Sequence, residues 1–305
     1  AIPSDHPLNK GMLGMHGNLG PNIKTNECDV LIAVGMRFDD RVTGDTSKYA
    51  RQAQIVHIDI DSTEFDKNIK THATIHGDAR EVLTQLLPLV NEAKHTEWLK
   101  TFDECDAVER ERVIKREVFP EEGLMLMGEV VNKVSAATND KAVLVTDVGQ
   151  NQMFSSRYFR YTLPKSIITS GGLGTMGFGL PAAIGAKMGA PERTVCFFTG
   201  DGGLQMTLQE LGTIMEYGTA VKIILLNNNF LGNVRQWQEM FFNSRFSQTP
   251  MINPDFVQIA SAYGIKAENV ESREQLDGAI ERMLNHDGAY LLNVSIEATD
   301  KIFPM

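Results

Sequence analysis

Six short apolar runs alternate with helix-length segments along this chain, at residues 30–34, 54–61, 142–146, 195–199, 221–226 and 290–295. Runs this short and this rich in Val, Ile and Leu are the pattern of strands buried on both faces. Helical crossovers between them force the strands to lie parallel, with ligands at their carboxyl ends. The fold class expected is therefore α/β, with doubly wound parallel sheets. Asp78 is placed to cap a helix running to about Val90, and Pro181 and Gly189 bracket the helical part of 171–189. Further helices are expected near 123–137, 206–217, 255–263 and 274–285, with a long polar loop before residue 255.

The runs fall into two groups. Residues 1–93 carry two or three strands after a Gly- and Asn-rich opening, too few to complete a doubly wound domain. Residues 94–120 shift in composition: Trp98, Phe102 and Cys105 recur at helical spacing amid charge such as Glu109-Arg110-Glu111-Arg112. That stretch reads as an amphipathic linker helix, ended by Pro120. Residues 121–305 hold a full α/β pattern. Charge narrows the partners: 29 Lys and Arg against 39 Asp and Glu leave a net charge of −10, with no basic excess for a nucleic acid. No apolar run is long enough to span a bilayer. Cys28, Cys105 and Cys196 are few and far apart, which implies no disulfide framework and fits a reducing compartment.

The chemistry concentrates at two strand ends. Gly200-Asp201-Gly202 follows one apolar run and Asn227-Asn228 follows the next, so Asp201 and Asn228 fall at neighbouring strand ends although 27 residues apart. One carboxylate and one amide oxygen suit Mg²⁺, which takes few protein ligands and completes its octahedron with phosphate and water. Gly202 and Gly203 would let the backbone approach a diphosphate at a helix N-terminus. Either motif alone is usually a turn; the pair at strand ends is not. Gly172-x-Gly174-x-x-Gly177 also fits the dinucleotide fingerprint, a weak signal by itself. His72 and His76 are spaced i, i+4, but Ala73-Thr74-Ile75 between them reads as strand, which argues against a metal pair.

These motifs resemble the metal-diphosphate signature of thiamine-diphosphate enzymes, and further runs narrow the resemblance to acetohydroxyacid (acetolactate) synthase catalytic subunits. The runs are Gly14-Met15-His16-Gly17, Arg37-Phe38-Asp39-Asp40-Arg41-Val42-Thr43-Gly44, Gly171-Gly172-Leu173-Gly174-Thr175-Met176-Gly177 and Val234-Arg235-Gln236-Trp237-Gln238. The resemblance implies thiamine diphosphate, Mg²⁺ and FAD as cofactors, the flavin in a structural role. It implies Asp201, Asn228 and the Phe230 carbonyl as metal ligands, with Gly149, Gln150, Gly202 and Gly203 at the diphosphate. Gly174 would meet the aminopyrimidine, Met176 would wedge beneath the bent coenzyme, and Trp237 would favour a larger second substrate. Gly35, Arg37, Asp39, Arg41 and Val42 match the loop along the flavin's phosphates and ribityl chain. Asp59, Ile60 and Asp78 match its adenosine end, and Met15, His16 and Gly17 the ribityl and ring side.

Departures from the family pattern are Asn151 for His, Gly203-Leu204 for Ser-Phe and Asn233 for Met. Asn151 replaces the side chain through which the family would contact substrate directly, and Asn233 makes the coenzyme pocket more polar. The resemblance implies a first, incomplete FAD-type domain (1–93), the linker (94–120) and a thiamine-diphosphate-binding domain (121–305). The family's activating Glu, which hydrogen-bonds the pyrimidine ring, belongs to an N-terminal domain that no segment here resembles. The chain opens Ala1-Ile2-Pro3-Ser4 and stops at Phe303-Pro304-Met305. It is expected to be a C-terminal portion, inactive by itself, of an enzyme condensing pyruvate with pyruvate or 2-oxobutyrate in branched-chain amino acid biosynthesis. The family further implies at least a homodimer, a small regulatory subunit and, in bacteria, the cytoplasm. The alternatives are another thiamine-diphosphate-dependent 2-oxoacid decarboxylase or oxidase, or a non-catalytic cofactor-binding fragment.

Overall fold

The computed structural model describes residues 2–302, and the chain divides into two bodies. The Phe303-Pro304-Met305 run lies outside the described residues. One body is Lys10–Glu111. Its sheet is parallel, in the order β1 (Val30–Val34), β2 (Gln54–Asp59), β3 (Ala73–His76), with Val30 opposite Gln54 and Val56 opposite Ala73. Strand alternation turns Ala33 into a small core with Phe38, Tyr49, Ala50 and Ile55, while Val30, Ile32 and Val34 stay exposed on the other face. The helices are α1 (Leu19–Thr25), α2 (Asp40–Thr43), α3 (Ala79–Leu86) and α4 (Thr96–Glu109). Asp78 does cap α3, accepting from the N–H groups of Arg80 and Glu81.

The expected linker stretch is divided between the bodies. Its first part, α4, packs on α1 within the first body. Buried Glu109 accepts from Asn18 Nδ2 at 3.2 Å and from the Leu19 N–H at 3.1 Å, so it caps α1. The helices meet closely at Gly20, where a Cβ would lie 3.3 Å from Phe102 Cδ1 and 3.5 Å from Cys105 Cβ. Helical spacing gives α4 an apolar side, but not the surface that side will cover. The division falls after Glu111, inside a π-turn over Arg110–Ile114.

The other body holds the residues up to Asn9 and from Arg112 onward. Its strands are β4 (Val143–Thr146), β5 (Ile167–Ile168), β6 (Val195–Gly200), β7 (Val221–Asn227), β8 (Lys266–Val270) and β9 (Tyr290–Ser295). They form one parallel sheet in the order β5-β4-β6-β7-β9-β8. The helices are α5 (Lys115–Val118), α6 (Met127–Ala137), α7 (Gln150–Tyr158), α8 (Gly179–Gly189), α9 (Asp201–Met206), α10 (Leu211–Tyr217), α11 (Gly232–Phe241), α12 (Phe256–Ala262) and α13 (Arg273–Asn285). Val145, Phe197, Ile223 and Leu225 of the central strands are buried against Leu180 and Ala183 of α8. A Cβ on Gly179 would fall 2.2 Å from Phe197 Cε2, so a glycine at the start of α8 lets it lie flat on β6.

Short α2 and two-residue β5 escape the sequence pattern, and so do three longer elements. Edge strand β8, Lys-Ala-Glu-Asn-Val, carries mostly polar side chains, as edges do. Helix α7 begins in a polar stretch without a clear apolar period, whereas α11 has Val234, Trp237 and Phe241 at helical spacing and occupies part of the expected loop. No helix among the described residues is long and apolar enough to cross a membrane.

Candidate functional site

Strands β4, β6 and β7 lie side by side, with Thr146 opposite Phe198 and Gly200 opposite Leu226, so three strand ends open on one edge. The chain leaving them walls a single cleft of about 440 Å³. After β4 come Val148, Gly149, Gln150 and Asn151; after β6, Asp201, Gly202 and Gly203; after β7, Asn228 and Phe230–Val234. Met176 enters from the turn before α8. Eight residues singled out from the sequence thus line one cavity: Gly149, Gln150, Met176, Asp201, Gly202, Gly203, Asn228 and Phe230. Gly174 sits two residues before Met176, in left-handed conformation (φ +63°), and is not part of the wall. Trp237 lies outside it too, 47% exposed on α11.

Asp201 is only 1% exposed. Its Oδ2 accepts from Asn253 Nδ2 at 2.8 Å and its Oδ1 from the Gly202 N–H at 3.0 Å. Burial pushes its carboxyl above the ordinary range, and these hydrogen bonds pull it partly back. Asn228, also buried, accepts at Oδ1 from the Phe230 N–H at 3.1 Å. Carboxylate, amide and peptide oxygens form a hard donor set with a single charge, which fits Mg²⁺. Among the described residues no cluster of three His, Cys, Asp or Glu could hold a metal, so a softer, multiply charged site is not offered.

The wall also has the shape of a cradle. A Cβ on Gly202 would lie 2.9 Å from Leu231 Cδ2, and one on Gly203 would lie 2.7 Å from Asp147 Oδ1. A side chain at Gly202 would displace the Leu231 tip and one at Gly203 would press on the Asp147 carboxylate, so both glycines sit in close packing at the start of α9. Two buried acceptors, Asn151 Oδ1 and Asn233 Oδ1, lack a protein partner, and both residues line the cleft. Unsatisfied buried acceptors are costly, so the cavity presents a polar demand that a ligand can meet.

Several supporting residues were not legible as such. Buried Asp147 accepts from the N–H groups of Val148 (2.8 Å), Gly177 (3.0 Å) and Gly179 (3.0 Å), which fixes the turn carrying Gly174 and Met176. Its place at a buried strand end, two residues before Gly149, is the only sign of this in the sequence. Gln150 Nε2 donates to Gln236 Oε1 and to the Asp300 carbonyl, both at 2.9 Å. Gln236 in turn donates to the Ile302 carbonyl at 2.7 Å. Burial raises the Asp300 carboxyl to about 7, and its Oδ2 accepts from the Met127 N–H at the start of α6.

In the first body, Met15, Arg41 and Val42 line a second cleft, of about 1240 Å³, with Gly14, Gly44 and Tyr49. The turn at Gly14 presses on the loop after β1: a Cβ there would lie 2.3 Å from the Arg41 carbonyl oxygen. Asp59 ends β2, and Gly35, Ile60 and Asp78 follow the carboxyl ends of the three strands, along one sheet edge. Asp39 caps α2 and pairs with Arg37 at 2.9 Å. His16, Gly17, Arg37 and Asp39 stand in the segments forming the cleft but do not line it. His72 Nδ1 accepts from the Ile55 N–H while His76 Nε2 meets the Ile60 carbonyl, so each has its own backbone partner.

Comparison with known proteins adds an independent finding. Residues 147–294 match a family model described as the thiamine pyrophosphate enzyme C-terminal TPP binding domain, and residues 1–86 match the central domain of the same enzymes. The chain is 41% identical over 309 residues to the acetolactate synthase isozyme 2 large subunit of Escherichia coli, covering all of this chain and 54% of that protein. It is 41% identical to a probable acetolactate synthase large subunit of Methanocaldococcus jannaschii (99% of this chain, 52% of that one). For the Lactococcus lactis large subunit the identity is 40%, over 100% of this chain and 52% of the relative. The chain thus spans about half the length of the curated relatives it matches. With both domain models matched in order and homology along its whole length, it belongs to the thiamine pyrophosphate enzymes, as a homologue of acetolactate synthase large subunits.

Proposed function

We propose that this chain supplies the diphosphate- and metal-binding side of an acetolactate synthase active site. The whole protein would condense pyruvate with a second 2-oxoacid, pyruvate or 2-oxobutyrate, with loss of CO₂. The observation that carries the reading is the convergence of Asp201, Asn228 and the Phe230 peptide on one cleft with the glycine cradle of Gly202 and Gly203. When bound, thiamine diphosphate supplies an electron sink for the charge left as CO₂ departs. Asp201, Asn228 and the Phe230 carbonyl would hold Mg²⁺, and Gly149, Gln150, Gly202 and Gly203 the diphosphate. Gly174 and Met176 would set the coenzyme's bend, on a turn kept rigid by Asp147. Trp237, on the outer part of α11, would bias the choice of second substrate. FAD is proposed as a structural ligand of the first body, along Gly35, Arg41, Asp59 and Asp78 and into the Met15 cleft. A homodimer or larger assembly and a small regulatory subunit belong to the same reading.

Asp201 is the one carboxylate among the described residues lining the cleft, and the cation claims it. A carboxylate for the pyrimidine ring must therefore come from another segment or subunit, and these 305 residues are expected to bind coenzyme without turning over pyruvate. Calorimetry and a pyruvate assay test both halves. The chain should take up thiamine diphosphate only with Mg²⁺, and Asp201→Asn should weaken that uptake by about 100-fold. Uptake indifferent to chelator would sink the reading. Full turnover by the chain alone would sink its second half. In the whole protein, acetaldehyde or peroxide in place of acetolactate would favour the decarboxylase or oxidase alternative.

A further inference from the structure

The oxygen donors assigned to the cation sit on two separate segments, the start of α9 and the turn after β7, and a third segment ties both. Thr249–Met251 runs beside Asn229–Leu231: the Leu231 N–H donates to the Thr249 carbonyl and the Met251 N–H to the Asn229 carbonyl, each at 2.9 Å. Phe230 and Pro250 pair antiparallel between them. This strap fixes the backbone of the turn that carries Asn228 and Phe230. Asn229, in left-handed conformation (φ +58°), is the bend of that turn.

Two residues further on, Asn253 reaches the start of α9. Its Nδ2 lies 2.8 Å from Asp201 Oδ2 and 3.1 Å from Oδ1 of both Asn227 and Asn229. An amide NH₂ has two protons for these three oxygens, and the charged, nearest one takes the strongest bond. The orientation of the amide is set from behind: Asn253 Oδ1 accepts from Gln205 Nε2, on α9, at 3.1 Å. Asn253 does not line the cleft, so it acts on a ligand only through Asp201 and the β7 turn.

We infer that Asn253 is the positioning residue of the cation site, holding the Asp201 carboxylate at a fixed separation from the Asn227–Asn229 turn before any cation arrives. The inference rests on the cation reading above and adds to it the group that sets the site's affinity. Partners that orient metal ligands in this way commonly account for 10- to 100-fold in metal affinity. A hydrogen-bonding role differs from a packing role in one respect. Leucine nearly matches asparagine in shape but cannot donate.

The test titrates the 305-residue chain with Mn²⁺ in the presence of thiamine diphosphate, reading free Mn²⁺ by electron paramagnetic resonance. Mn²⁺ shares the preference of Mg²⁺ for oxygen ligands. Asn253→Ala and Asn253→Leu should both weaken Mn²⁺ binding by at least about tenfold. Gln205→Ala, which leaves Asn253 in place but unsteered, should weaken it by about threefold. Melting of the metal-free chain should change little in all three. An Asn253→Leu protein that binds as tightly as the parent overturns the inference. If the Asn253 variants fail to fold, unchanged affinity in Gln205→Ala overturns it instead. A parent chain that binds no Mn²⁺ overturns the cation reading itself, whereas a binding parent with indifferent variants overturns only the role of Asn253.

Discussion

A buried carboxylate that accepts three backbone N–H groups is worth more to a fold than its single charge suggests. Asp147 does this for Val148, Gly177 and Gly179. Truncation would strand all three donors away from water. Asp147→Ala is accordingly expected to cost about 3 kcal/mol of unfolding free energy, measured by urea denaturation, and to weaken coenzyme uptake because the Met176 turn loosens. A loss below about 1 kcal/mol would mean that water replaces the carboxylate. The contrast with Asp201 explains what could be read in advance. Asp201, Gly202 and Asn228 are legible because their neighbours in sequence are also their neighbours in the cavity. Asp147 works on amides some 30 residues away and Asn253 on a carboxylate 52 residues away, and no local pattern records either.

At the scale of elements, buried runs were legible and polar ones were not. The strands around 30, 54, 143, 195, 221 and 290 all form; those at 143, 195 and 221 are mostly apolar because they are covered on both faces, whereas the run at 30–34 leaves Val30, Ile32 and Val34 exposed on one face. Edge strand β8 and helix α7 carry too little apolar periodicity to announce themselves, whereas α11 has Val234, Trp237 and Phe241 at helical spacing inside a stretch whose polar composition reads as loop. Helix α4 was legible as a helix but not as a neighbour of α1, since its apolar side does not name the surface it covers. The Glu109 cap gives that contact a measurable worth. Glu109→Ala leaves the Leu19 N–H without its acceptor and should destabilise α1 by about 1–2 kcal/mol. The readout is hydrogen exchange: amides of α1 should lose protection while those of the β6–β7 region keep theirs. Equal protection in α1 would show that Asn18 and water suffice.

For the molecule as a whole, one group couples stability to pH in the physiological range. Burial holds the Asp300 carboxyl protonated up to about pH 7, against an ordinary value of 3.8. Between these values the folded state binds a proton that the unfolded chain has released. Stability from this group is therefore complete below about pH 4 and is lost as pH rises through about 7. Asp300→Asn keeps an oxygen for the Met127 N–H without the charge. It should flatten that part of the profile and melt higher than the parent at pH 8, as calorimetric scans at pH 5 and 8 would reveal. Parallel profiles for the two proteins would refute the assignment.

The exposed row on β1 has its own consequence. Among the described residues, Val30, Ile32 and Val34 are exposed on one face of a strand that ends its sheet, so the same strand also offers an unpaired ladder edge. A greasy stripe beside open hydrogen-bonding groups recruits further strands, and that recruitment is bimolecular. The working life of a purified sample of these residues would then be governed by how concentrated it is kept, more than by how warm.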